Sequence, residues 1–214
     1  MLTRRLVPAM PGEYFFTEKR SRFIGRLWPA GSEKEAQEYL RAMRAKHYDA
    51  THNCWCYRIS DPGAMRYGDD GEPQGTAGLP MLEVFRREEI SDFCCVVTRY
   101  FGGVLLGAGG LVRAYSRAAK GALDASGVSA LERRLEASLA CPYPLLGEVR
   151  RELGLCGGTE ENAQYGADVC LSFLIPDESA DAFARRVTEL SAGRAAVRFT
   201  GERFAPVPLR EAIR

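Results

Sequence analysis

The sequence predicts an α+β protein built in two parts, and three observations carry that expectation. Residues 91–127 run from a β-branched, aromatic strand through a glycine turn into an amphipathic helix without interruption. From residue 131 onward the apolar pattern cycles strand, helix, strand, strand, helix, strand, the order of the ferredoxin-like split unit. The chain has 214 residues, 46% hydrophobic and 27% charged, which suits two core-forming domains and not a disordered tail. Small residues between Gly127 and Ala130 mark the boundary. Residues 1–128 carry 18 basic and 15 acidic side chains, residues 129–214 carry 11 and 13, so the charge balance changes sign there. The expected domains are therefore 1–128 and 129–214.

Taken in order, residues 13–17 and 22–28 are aromatic-rich runs broken by Glu18-Lys19-Arg20-Ser21, an opening hairpin. Ser32 followed by Glu35 is a capping box leading into Ala36, Tyr39, Leu40 and Met43 at helical spacing. Residues 51–59 have strand composition, with His52, Cys54, Cys56 and Arg58 on one face and Trp55 and Tyr57 on the other. Residues 61–78 read as one long loop rich in Gly, Pro and acid, of the kind that is functional or mobile. Thr76 or Gly78 is then placed to cap a helix carrying Leu79, Leu82 and Phe85. The central strand follows at 91–101, then the glycine loop and its helix, ending between Gly121 and Gly127. In the second part, strands are expected at 131–141, 160–164, 167–175 and 195–204, and helices at 145–153 and 179–190.

The glycine stretch is the most informative for function. Gly107, Gly109 and Gly110 admit positive φ and leave backbone N–H groups uncovered where a helix begins. Such a terminus, at the positive end of the helix dipole, suits an anion, a phosphate above all. From Leu111 the helix carries Val112, Tyr115, Ala119 and Ala122 as its core stripe and Arg113, Arg117 and Lys120 as a separate basic stripe. A glycine turn also serves simply to seat a helix on a sheet, and a basic stripe is also an ordinary solvated face. The glycine spacing matches neither the Walker nor the Rossmann pattern. With a net charge of only +1 the chain is no general polyanion binder, so any nucleic-acid contact must come from a local patch.

Other chemistries find less support. Asp69, Asp70 and Glu72 form a carboxylate cluster able to hold Mg²⁺ beside a phosphate, or else a solvated acidic turn. His52, Cys54 and Cys56 alternate along a strand, which spaces them too widely for an easy zinc site. No metal or cofactor is expected. With two histidines, no Gly-x-Ser-x-Gly elbow and no His-Glu-x-x-His helix, hydrolase triads and zincin chemistry lack their parts, and no catalytic residue is assigned. Seven cysteines, several inside apolar strands, read as reduced thiols. No run approaches the ~18 apolar residues of a membrane span, and the N-terminus lacks a signal-length apolar core, so a cytoplasmic protein with no membrane partner is expected.

Four stretches, Phe23-Ile-Gly, Ala50-Thr-His-Asn-Cys, Asp69-Asp-Gly-Glu-Pro-x-Gly-Thr-Ala-Gly78 and Arg99-Tyr-Phe-Gly-Gly-x-Leu-Leu-Gly-x-Gly-Gly-Leu-Val-Arg-Ala-Tyr115, together resemble the YigZ/IMPACT family over nearly the whole chain. The resemblance implies an N-terminal α/β domain of the type shared by a small-subunit ribosomal protein and the GHMP kinases, followed by a ferredoxin-like domain. It implies further that the signature falls on His52, on Asp69, Asp70, Glu72, Gly75, Thr76 and Gly78, and on Arg99 to Arg113. Asn53 stands where many relatives have a second histidine, which weakens any paired-histidine mechanism. Eukaryotic relatives regulate translation. The expected function is a translation-associated protein that contacts RNA or the ribosome through Arg99, Gly102, Gly103, Gly107, Gly109, Gly110, Arg113, Arg117 and Lys120. The alternatives are an enzyme acting with Mg²⁺ on a phosphorylated or nucleotide ligand, and a protein-interaction module using Tyr100 and Phe101.

Overall fold

Residues 5–210 are described by the computed structural model, so residues 1–4 and 211–214 of the expected domains lie outside the described part. In chain order the first part holds β1 (Arg5–Pro8), β2 (Gly12–Glu18), β3 (Ser21–Pro29), α1 (Glu33–Lys46), β4 (His52–Ile59), β5 (Ala64–Gly68), α2 (Gly78–Arg87), β6 (Phe93–Tyr100) and α3 (Ala108–Ser126). The second holds β7 (Val128–Cys141), α4 (Leu146–Leu155), β8 (Thr159–Tyr165), β9 (Val169–Pro176), α5 (Asp177–Leu190) and β10 (Arg198–Arg210), with a short 3₁₀ turn at Tyr143–Leu145 before α4. The chain gathers into two units, residues up to 131 together with those from 206, and residues 132–205.

In the first unit five strands form one sheet in the order β2-β3-β6-β4-β5, every neighbouring pair antiparallel. Strand alternation sends Phe23, Leu27, Cys54, Cys56, Cys95 and Val97 to one face, where Met81, Leu82 and Phe85 of α2 and Tyr115, Ala118, Ala119 and Ala122 of α3 bury them. The other face carries Tyr57, Ile59, Cys94 and Val96 against Ala36 and Leu40 of α1. The result is a sheet with helices on both sides, which is why β6 is buried at nearly every position. Each fully buried Phe or Leu here contributes on the order of 1.5–3 kcal/mol. Ser32 caps α1, accepting from Glu35 N at 3.3 Å, as the capping box requires.

Three local expectations are corrected, and one strand with no assignment from the sequence is added. Residues 61–78 are not all loop, because residues 64–68 pair with β4 as the edge strand β5, with Met65 opposite Arg58. Its side chains are partly or fully exposed, so it carried no core signal. Residues 5–8 form β1, paired with residues 128–131 of β7. The helix after the glycines starts at Ala108, inside the glycine stretch, but its buried stripe is Leu111, Ala114, Tyr115, Ala118, Ala119, Ala122 and Leu123 and does not include Val112. Val112 is left 37% exposed. Finally, neither Thr76 nor Gly78 caps α2, whose first residue is preceded by Ala77 without a side-chain cap of its own.

In the second unit β10, β7, β9 and β8 lie side by side in that order. This is the strand order a β-α-β-β-α-β chain adopts when its two halves interleave. Val149 and Leu153 of α4 and Phe183 and Val187 of α5 bury against Leu139, Leu171 and Phe173. Among the described residues, no helix is long and apolar enough to cross a membrane.

Candidate phosphate-binding site

The acidic signature loop turns inward. Asp69 accepts from Gly75 N at 2.8 Å through one carboxylate oxygen, and from Ala77 N at 3.2 Å and Gly78 N at 2.8 Å through the other. It therefore supplies from a distance the cap that α2 lacks, at the end of the helix where negative charge is favoured. Asp70 accepts from Asn53 N at 2.6 Å through its carboxylate, and from His52 Nδ1–H at 2.8 Å through its carbonyl oxygen. That bond leaves His52 Nε2 turned toward Glu72 Oε1, 3.8 Å away. Thr76 donates to Pro73 O at 2.6 Å and is buried, Gly75 has φ +76, and Gly78 packs against the backbone of Gly68.

Glu72 crosses into the core. Its side chain is 3% exposed and accepts from Arg99 Nη1 at 2.6 Å and from the Tyr115 hydroxyl at 2.7 Å. Arg99 also donates to Ser21 Oγ at 3.2 Å, and its guanidinium lies 5.5 Å from the Phe23 ring centroid and 5.3 Å from that of Phe101. Among the described residues its Nε has no hydrogen-bond partner. Burial pushes the Tyr115 phenol well above its ordinary range, with Cys54 and Glu72 adding to the effect. Cys54 is pushed up likewise by burial, and its thiol donates to Asp69 O at 3.0 Å. This interlocked set disposes of two expectations. Arg99 is not a solvent-facing phosphate contact, and the carboxylates are not an open cluster for a cation, because both Asp69 oxygens are taken by amides and Glu72 Oε1 by a guanidinium and a phenol.

The glycine loop runs over this network. Gly102 N donates to Ser21 Oγ at 3.3 Å, and Phe101 N to Thr51 Oγ1 at 2.9 Å. A Cβ on Gly102 would lie 2.0 Å from Arg20 O, so only glycine lets the loop pass the β2–β3 turn. Gly103 and Gly107 take φ of +81 and +74. Gly109 and Gly110 are helical and make no use of the positive φ that glycine admits. Gly107 precedes the first turn of α3 with no side-chain cap, leaving amides of that turn without a side-chain acceptor.

The cations of α3 divide. Arg113 is exposed and reaches back over the first turn, its Nη1 3.7 Å from where a Cβ on Gly109 would stand. Arg117 is exposed too and lies flat on Phe16, 4.2 Å from its centroid, while donating to Tyr14 Oη at 3.2 Å. Lys120 is held between Glu88 at 2.6 Å and Asp124 at 2.7 Å, so its charge is neutralised and it leaves the basic stripe. A cation the sequence reading passed over replaces it. Lys19, at the tip of the β2–β3 hairpin, joins Arg113 and Arg117 around a cavity of about 240 Å³ whose walls also include Phe16, Leu106 and Gly110. Among the described residues, Glu18 is the one acid on its wall. The signal for Lys19 was present in the charged break at 18–21, but nothing local tied that turn to a helix more than ninety residues later.

Residues 19–123 match the Impact N-terminal domain, and residues 139–194 match a domain of unknown function, DUF1949. The IMPACT family member YvyE of Bacillus subtilis is 38% identical over 190 residues, 87% of each chain. This chain belongs to the IMPACT family. The family member YigZ of Escherichia coli is 35% identical over 88% of this chain and 94% of its own. A crystal structure of a protein described only as hypothetical aligns over 92% of this chain and 97% of its own, with a TM-score of 0.59 and 33% identity. The Impact N-terminal match spans both the buried network and the Lys19, Arg113 and Arg117 rim.

Proposed function

We propose that this chain is a cytoplasmic, translation-associated protein that binds RNA, on the ribosome, through phosphate contacts made by Lys19, Arg113 and Arg117. The observation that carries the reading is the convergence of these cations, from two elements distant in sequence, on one opening beside the uncapped start of α3. Backbone amides at a helix N-terminus and flexible cations are what phosphate oxygens accept from, without regard to base sequence. The family resemblance, whose eukaryotic members regulate translation, supports placing that RNA in the translation machinery. Gly103, Gly107, Gly109 and Gly110 keep the approach to the opening clear of side chains, and Gly102 fixes the path of the loop.

The test is co-sedimentation of the purified protein with ribosomes across a salt series, comparing wild type with the Arg113→Glu, Arg117→Glu double variant. Binding by wild type that weakens steeply with salt, and fails in the variant, is the expected result. Each lost phosphate contact lowers the slope of log K against log salt by about 1. Lys120→Glu, by contrast, is expected to leave the slope unchanged. Equal binding by wild type and double variant overturns the reading.

A second reading has its own observation. Phe101 is 43% and Leu105 81% exposed at the glycine loop, an apolar tip of the kind that docks a protein partner. On that reading binding is insensitive to salt and fails in Leu105→Asp.

A further inference from the structure

The first unit holds a second cationic cavity, at the end of the sheet away from the glycine loop. Register sets the separation: His52 pairs with Arg99 beside the signature network, whereas Arg58 pairs with Phe93 at the far end of the same strands. Six residues of extended chain put the two ends about 20 Å apart. The cavity has a volume of about 720 Å³ and, among the described residues, is lined by Arg5, Arg58 and Arg86, by Ser60 and Ser91, by the apolar Ile59, Ala64 and Met65, and by one acid, Glu89.

We infer that this cavity is a binding site for a nucleoside phosphate, its phosphate held by Arg58 with Arg5 and Arg86 and its base laid against the Ala64 and Met65 wall. The three guanidiniums arrive from β1, β4 and α2. A carboxylate is satisfied by one bidentate arginine, whereas a phosphate, with oxygens pointing several ways, accepts from donors placed around it. Arg58 is the key residue. Among the described residues it ion-pairs with no carboxylate, and its bond to Ile90 O is a long 3.5 Å. Arg86 stands 2.6 Å from Glu83, a pair exposed on both sides that contributes little and is readily re-formed around a ligand, while Arg5 stands 3.9 Å from Asp92, a half-buried carboxylate that also accepts from Ser60 N at 2.7 Å. The cavity falls within the range of small-molecule sites, and its mix of an apolar wall with a few polar groups is the usual composition of one. Met65, 49% exposed on the edge strand β5, offers a polarisable surface to a planar base. Glu89 gives the ribose hydroxyls an acceptor. Nothing in this inference depends on the RNA reading, since the two sites share no residue.

The experiment is isothermal titration of the full chain with AMP, ADP, ATP, adenosine and inorganic phosphate, repeated on Arg58→Gln, Arg86→Gln and, as a control at the other site, Arg113→Glu. The expected result is binding of the nucleotides but not of adenosine. Affinity should weaken by roughly tenfold or more in Arg58→Gln, as befits loss of a charge-assisted bond, and remain unchanged in Arg113→Glu. Arg86 is exposed on a helix, so Arg86→Gln keeps its fold and should weaken binding to a smaller degree even if Arg58→Gln unfolds the protein. No heat with any nucleotide at millimolar concentration overturns the inference. So does binding that survives both Arg58→Gln and Arg86→Gln, or that is lost in Arg113→Glu.

Discussion

The buried network around Glu72 and the open rim around Arg113 lie in the same family signature and use the same charged residue types, yet they do opposite work. Arg99 and Arg113 are fourteen positions apart on either side of the glycine loop. Arg99 is 4% exposed, bonded to Glu72 and Ser21 and enclosed by two aromatic rings. Arg113 is exposed and faces a cavity. A buried arginine must be paired, because an unpaired guanidinium in the core carries a desolvation penalty of several kcal/mol. An exposed one contributes almost nothing to folding and keeps its charge for a ligand. The lesson is that a signature motif combines residues that shape a loop with residues that meet a ligand, and burial separates them.

The comparison predicts a graded series, and its largest effect belongs to the network. Glu72→Gln keeps an acceptor for Tyr115 but strands the Arg99 charge, and urea denaturation should show a loss of about 3–5 kcal/mol. The double variant Glu72→Leu, Arg99→Met removes both charges and should recover much of that loss. A single-variant loss below about 1 kcal/mol would mean that water already reaches Arg99 and that the division between buried and open charges fails.

Next in size is the remote cap. Asp69→Ala frees two amides at the start of α2 and that of Gly75 in the loop before it, and is expected to cost about 1–2 kcal/mol by the same measurement. Asp69→Asn should retain part of this, since an amide oxygen still accepts. Because α2 has no cap of its own, a negligible effect would show that its packing against α3 suffices to hold it.

A smaller effect is tied to pH. His47 is buried, accepts from Arg26 Nη1 at 2.8 Å and donates through Nδ1 to Tyr100 Oη at 2.9 Å, which in turn donates to Asp49 at 3.1 Å. Burial first, and then the Arg26 charge, hold its pKa below the ordinary 6.5. The unfolded chain therefore takes up a proton that the native state refuses. Stability from this group is full above pH ~6.5 and is lost as pH falls through the depressed native value. Melting curves between about pH 5 and 8 should show wild type losing stability toward acid more steeply than His47→Gln. Parallel curves would place His47 in contact with solvent.

The smallest effect on stability is expected at the rim. Arg113→Glu and Arg117→Glu should each move the unfolding free energy by no more than about 0.5 kcal/mol, even where ribosome binding is lost. Arg117 sits closer to the limit because it covers the Phe16 ring. A large destabilisation there would assign the rim to the scaffold after all.

Much of the chain's organisation was legible because its signals are local. The capping box at Ser32 and Glu35, the alternation that sorts Cys54 from Trp55, the glycine stop after β6 and the β-α-β-β-α-β order each depend on neighbours a few residues apart. The edge strand β5 was hidden because residues 64–68 bury too little to leave an apolar pattern and are recognisable only by their pairing with β4. The assignment of charges was beyond reach for a similar reason. Whether Arg99 is free or committed depends on Glu72, twenty-seven residues earlier, and Lys120 is neutralised partly by Glu88, contacts that local spacing cannot show. The sequence by itself determined most of the elements, the glycine path and the family. Only the tertiary structure decided which charges remain open to a ligand, because that depends on burial and on partners brought together by packing.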